Sequence, residues 1–154
     1  MTAPDALPSA ARAVLRDARR LLREQAALAA QAPSTGPLAD AVATPFGQGY
    51  VVGVVDALCT LHGAPFDALA LGVFGAVLDE ALGRDARAER DQALDALAAS
   101  AGSDPARNDL PGRTASAASY GFDAGRLYGG NEALGWSRDA CVPSALVHLA
   151  RVRS

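Results

Sequence analysis

Two cysteines and two histidines are the residues of this sequence whose types suit metal or nucleophilic chemistry. Cys59 and His62 are three residues apart, which places both on one face of a helix. Cys141 and His148 would join them if their helices pack together, and four such ligands suit tetrahedral zinc. A Cys–His nucleophile pair also fits the spacing, but no third group is present to orient the histidine. We favour two core cysteines and two histidines near helix ends, and we expect no metal and no cofactor.

Asp56 is the charged residue that most needs an explanation, because it shares a helix face with Gly49 and Gly53. Its structural interpretation is an ion pair with an arginine or a cap on a neighbouring backbone. Its functional interpretation is a place in a cleft. The sequence has no phosphate-binding glycine loop, no Gly-x-Ser-x-Gly elbow and no paired Glu and Glu-x-x-His elements. We therefore expect a protein that is not an enzyme.

Two glycine-bearing helices are the elements that position these residues. The stretch 47–62 is predicted as the central helix, and Gly63 is predicted to end it as a left-handed cap. Glycine costs about 1 kcal/mol relative to alanine within a helix, so Gly49 and Gly53 indicate that another backbone approaches closely. A second helix over 114–129 repeats small residues every four positions, at Ala117, Gly121, Gly125 and Gly129.

Residues from both helices form the candidate packing or binding face. These are Gly49, Tyr50, Gly53, Asp56, Tyr120, Gly121 and Gly125. The segment 49–53 resembles 121–125, and each is followed by a glycine loop and a proline-started apolar helix. This echo suggests two helix pairs that are related by a pseudo-twofold axis and packed through their glycine faces, although chance accounts for so short a match equally well.

The remaining pattern predicts an all-α fold. Aromatic residues make up 5% of the chain and β-branched residues are sparse, so strands are poorly supplied. We expect one domain over residues 1–154, a bundle of five or six helices with its core in 47–154. The other predicted elements are a helix 9–31 capped by Ser9, a linker 32–46 with one turn at 38–43, a buried helix 65–82 with Pro65 at its first position, a charged surface helix 85–101, a loop 102–113, a loop at 129–136 and a last helix 139–152.

Charge and composition exclude several classes of function. The net charge is −3 with acids and bases mixed, which gives no footprint for nucleic acid or an anionic membrane. No stretch reaches the roughly 18 uncharged apolar residues of a membrane span. The first residues do not read as a signal peptide, so we expect the cytoplasm, or the periplasm if a leader has been removed. Cys59 and Cys141 could form one bridge, but free buried thiols are favoured.

The segment from 47 to about 100 carries a family resemblance. It has a Gly-Tyr helix start, a second glycine and an Asp-Ala pair, followed by a turn, an apolar helix and another helix; the matching residues are Gly49, Tyr50, Gly53, Asp56 and Ala57. In these features it resembles the helical immunity proteins of bacterial type VI secretion, which neutralise cell-wall amidase effectors. The resemblance implies a non-enzymatic protein that binds and inhibits a toxin or effector.

Two further expectations concern ligands and self-association. The alternative function is a small-molecule or metal-binding helical protein, or an enzyme, with a pocket lined by Asp56, Tyr50, His62, Tyr120 and Tyr128.

A helix as apolar as 65–82 needs cover on nearly every side, and the chain offers few apolar faces. We therefore predict a homodimer, the commonest soluble oligomer, with the glycine ridges at or near the contact.

Overall fold

The computed structural model describes residues 7–31, 37–101, 117–141 and 143–153, with the backbone alone at 100, 101, 117–120 and 151–153. The described residues form seven α-helices and no strand, which confirms the all-α prediction. The helices are α1 (Ser9–Ala30), α2 (Leu38–Val42), α3 (Pro45–His62), α4 (Ala68–Leu82), α5 (Arg87–Ala101), α6 (Ala117–Asp139) and α7 (Ala145–Arg153). Among them, none is long and apolar enough to cross a membrane.

Helix α3 is the centre of the bundle and contacts α1, α2, α4, α5 and α6. It begins at Pro45, two residues before the predicted start, because Thr44 is an efficient N-cap. The Thr44 hydroxyl accepts a hydrogen bond from the Gly47 amide at 3.0 Å, and Pro45 fits the first turn, where no amide donor is needed. Gly63 ends the helix with φ 68°, as predicted.

Helix α1 packs a single apolar stripe on α3 and α4. The buried residues recur at helical spacing: Ala11, Val14, Leu15, Ala18, Leu21, Leu22, Gln25 and Ala29. Its arginines lie outside this stripe, and Arg19 and Arg23 both pair with Glu80 of α4. Ser9 is the first helical residue rather than the cap, since Pro8 occupies the cap position without a side-chain hydrogen bond.

Helix α4 begins at Ala68, later than predicted, and Pro65 precedes the helix instead of starting it. Asp67 is the N-cap, and its carboxylate accepts from the amides of Leu69 and Ala70 at 3.0 and 3.3 Å. Helix α4 contacts α1, α2 and α3 and is therefore covered on several sides, as expected, but not on every side. Its inner face is covered, but Leu69 is 43% exposed, and a side that includes Gly72 is open.

Helix α6 is the largest departure from the sequence-based prediction, because it continues ten residues beyond 129 through the predicted loop. Its second half has an inward face: Ala133 is fully buried, and the Trp136 indole donates to Glu24 of α1 at 2.7 Å. These contacts offset the helix cost of two adjacent glycines. Helix α7 consequently starts at Ala145 instead of 139. The predicted loop 102–113 lies outside the described residues.

Candidate binding groove between α3 and α6

Helices α3 and α6 cross so closely that carbonyl oxygens occupy the places where glycine side chains would begin. A Cβ atom built on Gly49 would lie 2.0 Å from the Phe122 carbonyl oxygen. One built on Gly53 would lie 2.0 Å from that of Arg126. No side chain fits at such distances, so the glycines at these positions are required by contact between the two backbones.

The glycines of α6 likewise meet carbonyl oxygens of α3. A Cβ on Gly125 would lie 1.9 Å from the Phe46 carbonyl oxygen, and one on Gly129 would lie 2.1 Å from that of Tyr50. Each glycine therefore meets the carbonyl three residues before a glycine of the other helix. The contact has a local pseudo-twofold relation that matches 49–53 with 125–129, and both helices run in the same direction.

The sequence analysis matched segment 49–53 with 121–125. The contacts in the structure instead match it with 125–129, four residues later. Gly121 lies one turn outside the tight crossing, where a Cβ would be 3.6 Å from the nearest Phe46 and Pro45 atoms, an ordinary contact. The ridges also contact each other within one chain. Their glycine faces are filled, and a second subunit would have to use a different surface.

Tyr50 is fully buried beside this crossing and lines no described cavity. Its hydroxyl donates to Glu132 Oε1 at 2.6 Å and accepts from the Gln25 amide nitrogen at 2.9 Å. Glu132 in turn accepts from the backbone amides of Ser144 and Ala145, each at 3.0 Å. The network joins α1, α3 and α6 to the start of α7.

Burial raises the pKa of Tyr50 far above its ordinary value, and the bond and charge of Glu132 raise it further. The phenol therefore stays neutral, as a donor to a carboxylate must. These bonds explain why a tyrosine and a glutamate occur inside the bundle: every partner in the network is a protein group. Tyr50 acts as a structural residue of the core.

On the solvent side of the crossing lies an open groove of about 390 Å³, which we call the α3–α6 groove. Its floor is backbone, because Gly53 and Gly130 carry no side chains. Its walls and rims are formed by Asp56, Ala57, Thr60, Asp123, Arg126, Leu127, Asn131 and Leu134. Leu127 is 65% exposed, the most exposed of the large apolar side chains that the structure describes.

The charges in the groove are two carboxylates and one guanidinium. Asp56 pairs with Arg126, as its structural interpretation required, but the closest approach is 3.8 Å and both side chains are partly exposed. The Thr60 hydroxyl donates to the Asp56 carbonyl oxygen at 3.3 Å. Asp56 thus has both features expected of it from the sequence, a pairing arginine and a place in a cleft.

The other residues that the sequence singled out do not join the groove. His62 bonds Asp17 of α1 at 2.7 Å. Tyr128 is 54% exposed, with its ring 5.8 Å from that of Phe46. The side chain of Tyr120 lies outside the described residues. Among the predicted pocket residues whose side chains the structure describes, Asp56 alone lines the α3–α6 groove.

The cysteines and histidines that suit zinc are also kept apart. Cys59 is buried next to a small apolar cavity, whereas Cys141 and His148 are exposed. Within the described ranges, no three His, Cys, Asp or Glu side chains are grouped as a metal site requires. Both cysteines are free thiols, and the expectation that both are buried is wrong for Cys141.

Comparisons of this chain with protein families, with curated proteins and with solved structures give no match. The groove and the buried network are therefore the features from which a function has to be inferred.

Sequence reasoning missed the α6 side of the groove. Gly130, Asn131 and Leu134 were assigned to a loop, because consecutive glycines ordinarily end a helix. A signal for a longer helix was nevertheless present in the sequence. The small residues predicted to recur every four positions up to Gly129 are followed by one more at the same spacing, Ala133. Glu132 was missed as well, since a single glutamate in an apparent loop gives no indication of burial.

Proposed function

We propose that this protein is a non-enzymatic helical protein that binds a protein partner. In its specific form, the proposal is an immunity protein or inhibitor that neutralises a bacterial toxin or effector in the cytoplasm or periplasm. The α3–α6 groove is the observation that carries the first part. The sequence resemblance of 47–100 to immunity proteins carries the second.

Three properties of the groove support a protein partner. It is open to solvent and lies between two helices that touch through their backbones. It combines an exposed leucine with charged and amide side chains, the mixture typical of non-obligate protein interfaces. Its floor is rigid, because backbone contacts hold α3 against α6 and the Tyr50 network fixes the helices around them. A preformed surface lowers the ordering cost of binding.

The first experiment asks whether a secreted toxin is encoded beside this gene, and if so that toxin is the partner to test. The purified proteins are mixed, and affinity is measured by calorimetry alongside the effector's toxicity during co-expression. We expect binding and protection, with both weakened by Gly130→Gln, which places a side chain on the groove floor. A Cβ at Gly130 would lie 3.7 Å from the nearest atom, so the substitution is compatible with the helix crossing.

Ala98→Gln, on an exposed position of α5, is the matched control and should leave affinity unchanged. Absence of both binding and protection by the wild-type protein would contradict the toxin-inhibitor proposal. Binding that Gly130→Gln leaves intact would retain a protein partner but place it on another surface.

A second candidate is a small-molecule binder, and the size of the groove favours it. About 390 Å³ lies within the range of ligand sites, and Asp56, Arg126 and Asn131 could orient a polar compound. A thermal-shift screen with a metabolite library tests this candidate. A ligand that stabilises wild-type protein but not Gly130→Gln would favour it over the protein partner, and a library without such a ligand would count against it.

A further inference from the structure

A cavity of about 180 Å³, which we call the Glu80 cavity, lies between α1, α2 and α4 and shares no lining residue with the α3–α6 groove. Its walls are mainly aliphatic and are formed by Leu22, Ala26, Leu38, Val77 and Ala81. Leu22 and Val77 belong to the buried core, whereas Ala26 is exposed. The cavity therefore offers apolar surface between the outside of the bundle and its core.

Two guanidinium groups and one carboxylate complete the lining of the Glu80 cavity. Arg23 Nη2 lies 2.8 Å from Glu80 Oε1, and Arg19 Nε lies 2.6 Å from Glu80 Oε2. Two positive charges and one negative charge leave a net charge of +1 on these three side chains. Among the described residues, no other charged side chain lines the cavity. A bound monoanion would therefore neutralise the charge that Glu80 leaves unbalanced.

Both arginines keep hydrogen-bond donors that Glu80 does not use. A guanidinium group carries five N–H donors, and the structure describes no partner other than Glu80 for Arg19 or Arg23. The Nε donor of Arg19 is buried, and although Glu80 is close, this donor has no partner in hydrogen-bond geometry among the described residues. A buried donor without a hydrogen bond is costly, so a ligand oxygen that reaches Arg19 would be favoured.

Size and charge together define the class of ligand. A cavity of about 150 Å³ holds one benzene molecule, so one of about 180 Å³ accepts an apolar body of roughly six carbon atoms. A single carboxylate would balance the net charge, and its two oxygens suit the paired N–H groups of a guanidinium. A phosphate monoester carries about −1.5 to −2 charges at pH 7, which is more than the two arginines leave unbalanced beside Glu80.

We propose that the Glu80 cavity binds a small monocarboxylate with an apolar body of roughly six carbon atoms. The carboxylate pairs with Arg19 and Arg23, and the hydrocarbon packs against Leu22 and Val77. This site is separate from the α3–α6 groove, so it stands or falls independently of the proposed protein partner.

Calorimetry on the full-length protein at constant ionic strength tests the proposal with hexanoate as the probe. Acetate lacks most of the apolar body and hexanol lacks the charge, so each should bind more weakly than hexanoate, on the order of tenfold or more. Hexanol that binds as tightly as hexanoate would exclude a role for the arginines, and acetate that does so would exclude one for the aliphatic walls. Either result, or absence of hexanoate binding, would overturn the proposal.

A pair of alanine variants locates the apolar body. Ala26→Leu enlarges an exposed side chain on the cavity wall, whereas Ala27→Leu makes the same change at an exposed position that does not line the cavity. Hexanoate affinity should fall on the order of tenfold or more in Ala26→Leu, because the added atoms occupy the site, and should not change in Ala27→Leu.

A pair of arginine variants locates the carboxylate. Arg23 and Arg16 are similarly exposed, at 72% and 70%, and each pairs with an acidic side chain, but Arg16 does not line the cavity. Arg23→Gln should weaken hexanoate binding on the order of tenfold and leave the affinity for hexanol unchanged, while Arg16→Gln should change neither. Hexanoate affinity that either Ala26→Leu or Arg23→Gln leaves intact would overturn the proposal.

Discussion

At the residue scale, Glu132 makes the contacts that tie the end of the bundle to its centre. It accepts from the Tyr50 hydroxyl and from two amides at the start of α7, so its two oxygens face donors only. Glu132→Gln would turn an NH₂ group toward some of these donors. We expect a loss of about 1–3 kcal/mol, the cost of leaving buried hydrogen-bonding groups unpaired.

A double-mutant cycle with Tyr50→Phe separates this network from general damage. Because the two side chains bond each other, the double variant should be less destabilised than the sum of the single variants, with a coupling of roughly 0.5–3 kcal/mol. Urea unfolding at constant pH measures all four proteins. Additive effects would mean that the 2.6 Å bond contributes nothing of its own.

Tyr50 also gives the protein a defined alkaline limit. Burial, followed by Glu132, raises the pKa of Tyr50 above its ordinary value of about 10. A raised folded-state pKa contributes stability that is complete below about pH 10 and is lost as the pH rises further, because only the unfolded chain releases the proton. Absorbance of ionised tyrosine should show one phenol that titrates only with unfolding. In Tyr50→Phe this late step should disappear; its persistence would assign the step to another tyrosine.

The two thiols should differ in reactivity. Burial raises the pKa of Cys59, and the negative charges of Asp56 and Asp67 add to this effect, so the reactive thiolate is disfavoured there. Cys141 is exposed. Alkylation of native protein should therefore give one fast and one slow modification by mass spectrometry. The fast event should vanish in Cys141→Ser and the slow one in Cys59→Ala; the reverse assignment would contradict the burial of Cys59.

At the element scale, the helix crossing can be tested with two neighbouring glycines of α6. A Cβ at Gly129 would lie 2.1 Å from the Tyr50 carbonyl oxygen, but one at Gly130 would lie 3.7 Å from its nearest atom. Both alanine variants gain up to about 1 kcal/mol of helix propensity. Gly129→Ala should nevertheless be destabilised by about 1–3 kcal/mol from overpacking, while Gly130→Ala should match or exceed wild type.

Thermal unfolding measures the difference, which at roughly 2–4 °C per kcal/mol separates the two variants clearly. Similar melting temperatures would show that α6 slides or tilts to relieve the clash. In that case the register of the pseudo-twofold contact would not be fixed by its glycines.

The elements also show which parts of the structure the sequence could predict. Glycine spacing indicated a close backbone approach on both helices, and the left-handed cap at Gly63 marked a helix end, because each signal is local. The end of α6 could not be predicted locally. Continuation through Gly129 and Gly130 depends on contacts with α3 and α1, which a single sequence does not display.

The candidate site was likewise predicted only in part. Asp56 was identified because a charge on a glycine face needs an explanation. Its partner Arg126 could not be predicted, since the register between α3 and α6 was unknown. The sequence analysis placed Tyr50 in the alternative pocket. The bond from its hydroxyl to Glu132 could not be predicted, because the two residues are 82 positions apart in sequence.

At the scale of the whole molecule, the predicted homodimer needs a surface other than the glycine ridges. A dimer was predicted because the apolar helix 65–82 needs cover on nearly every side. The open side of α4 is the part of that helix that still lacks cover. There Leu69 is 43% exposed and borders an apolar cavity of about 110 Å³ next to Cys59. Exposed Gly72 and Ala76 continue this side along the helix. A second copy that covers this face would bury apolar surface that the monomer leaves in water.

Light scattering across a concentration series tests this arrangement. We expect a dimer mass for the wild-type protein and a monomer mass for Leu69→Glu, because a charge in the contact would have to be desolvated. Leu94→Glu is the matched control, since Leu94 is a 40% exposed leucine on α5, and it should remain dimeric. A monomeric wild-type protein at high concentration would refute the homodimer. A dimer that persists in Leu69→Glu would exclude the α4 face and require that the contact lie elsewhere on the molecule.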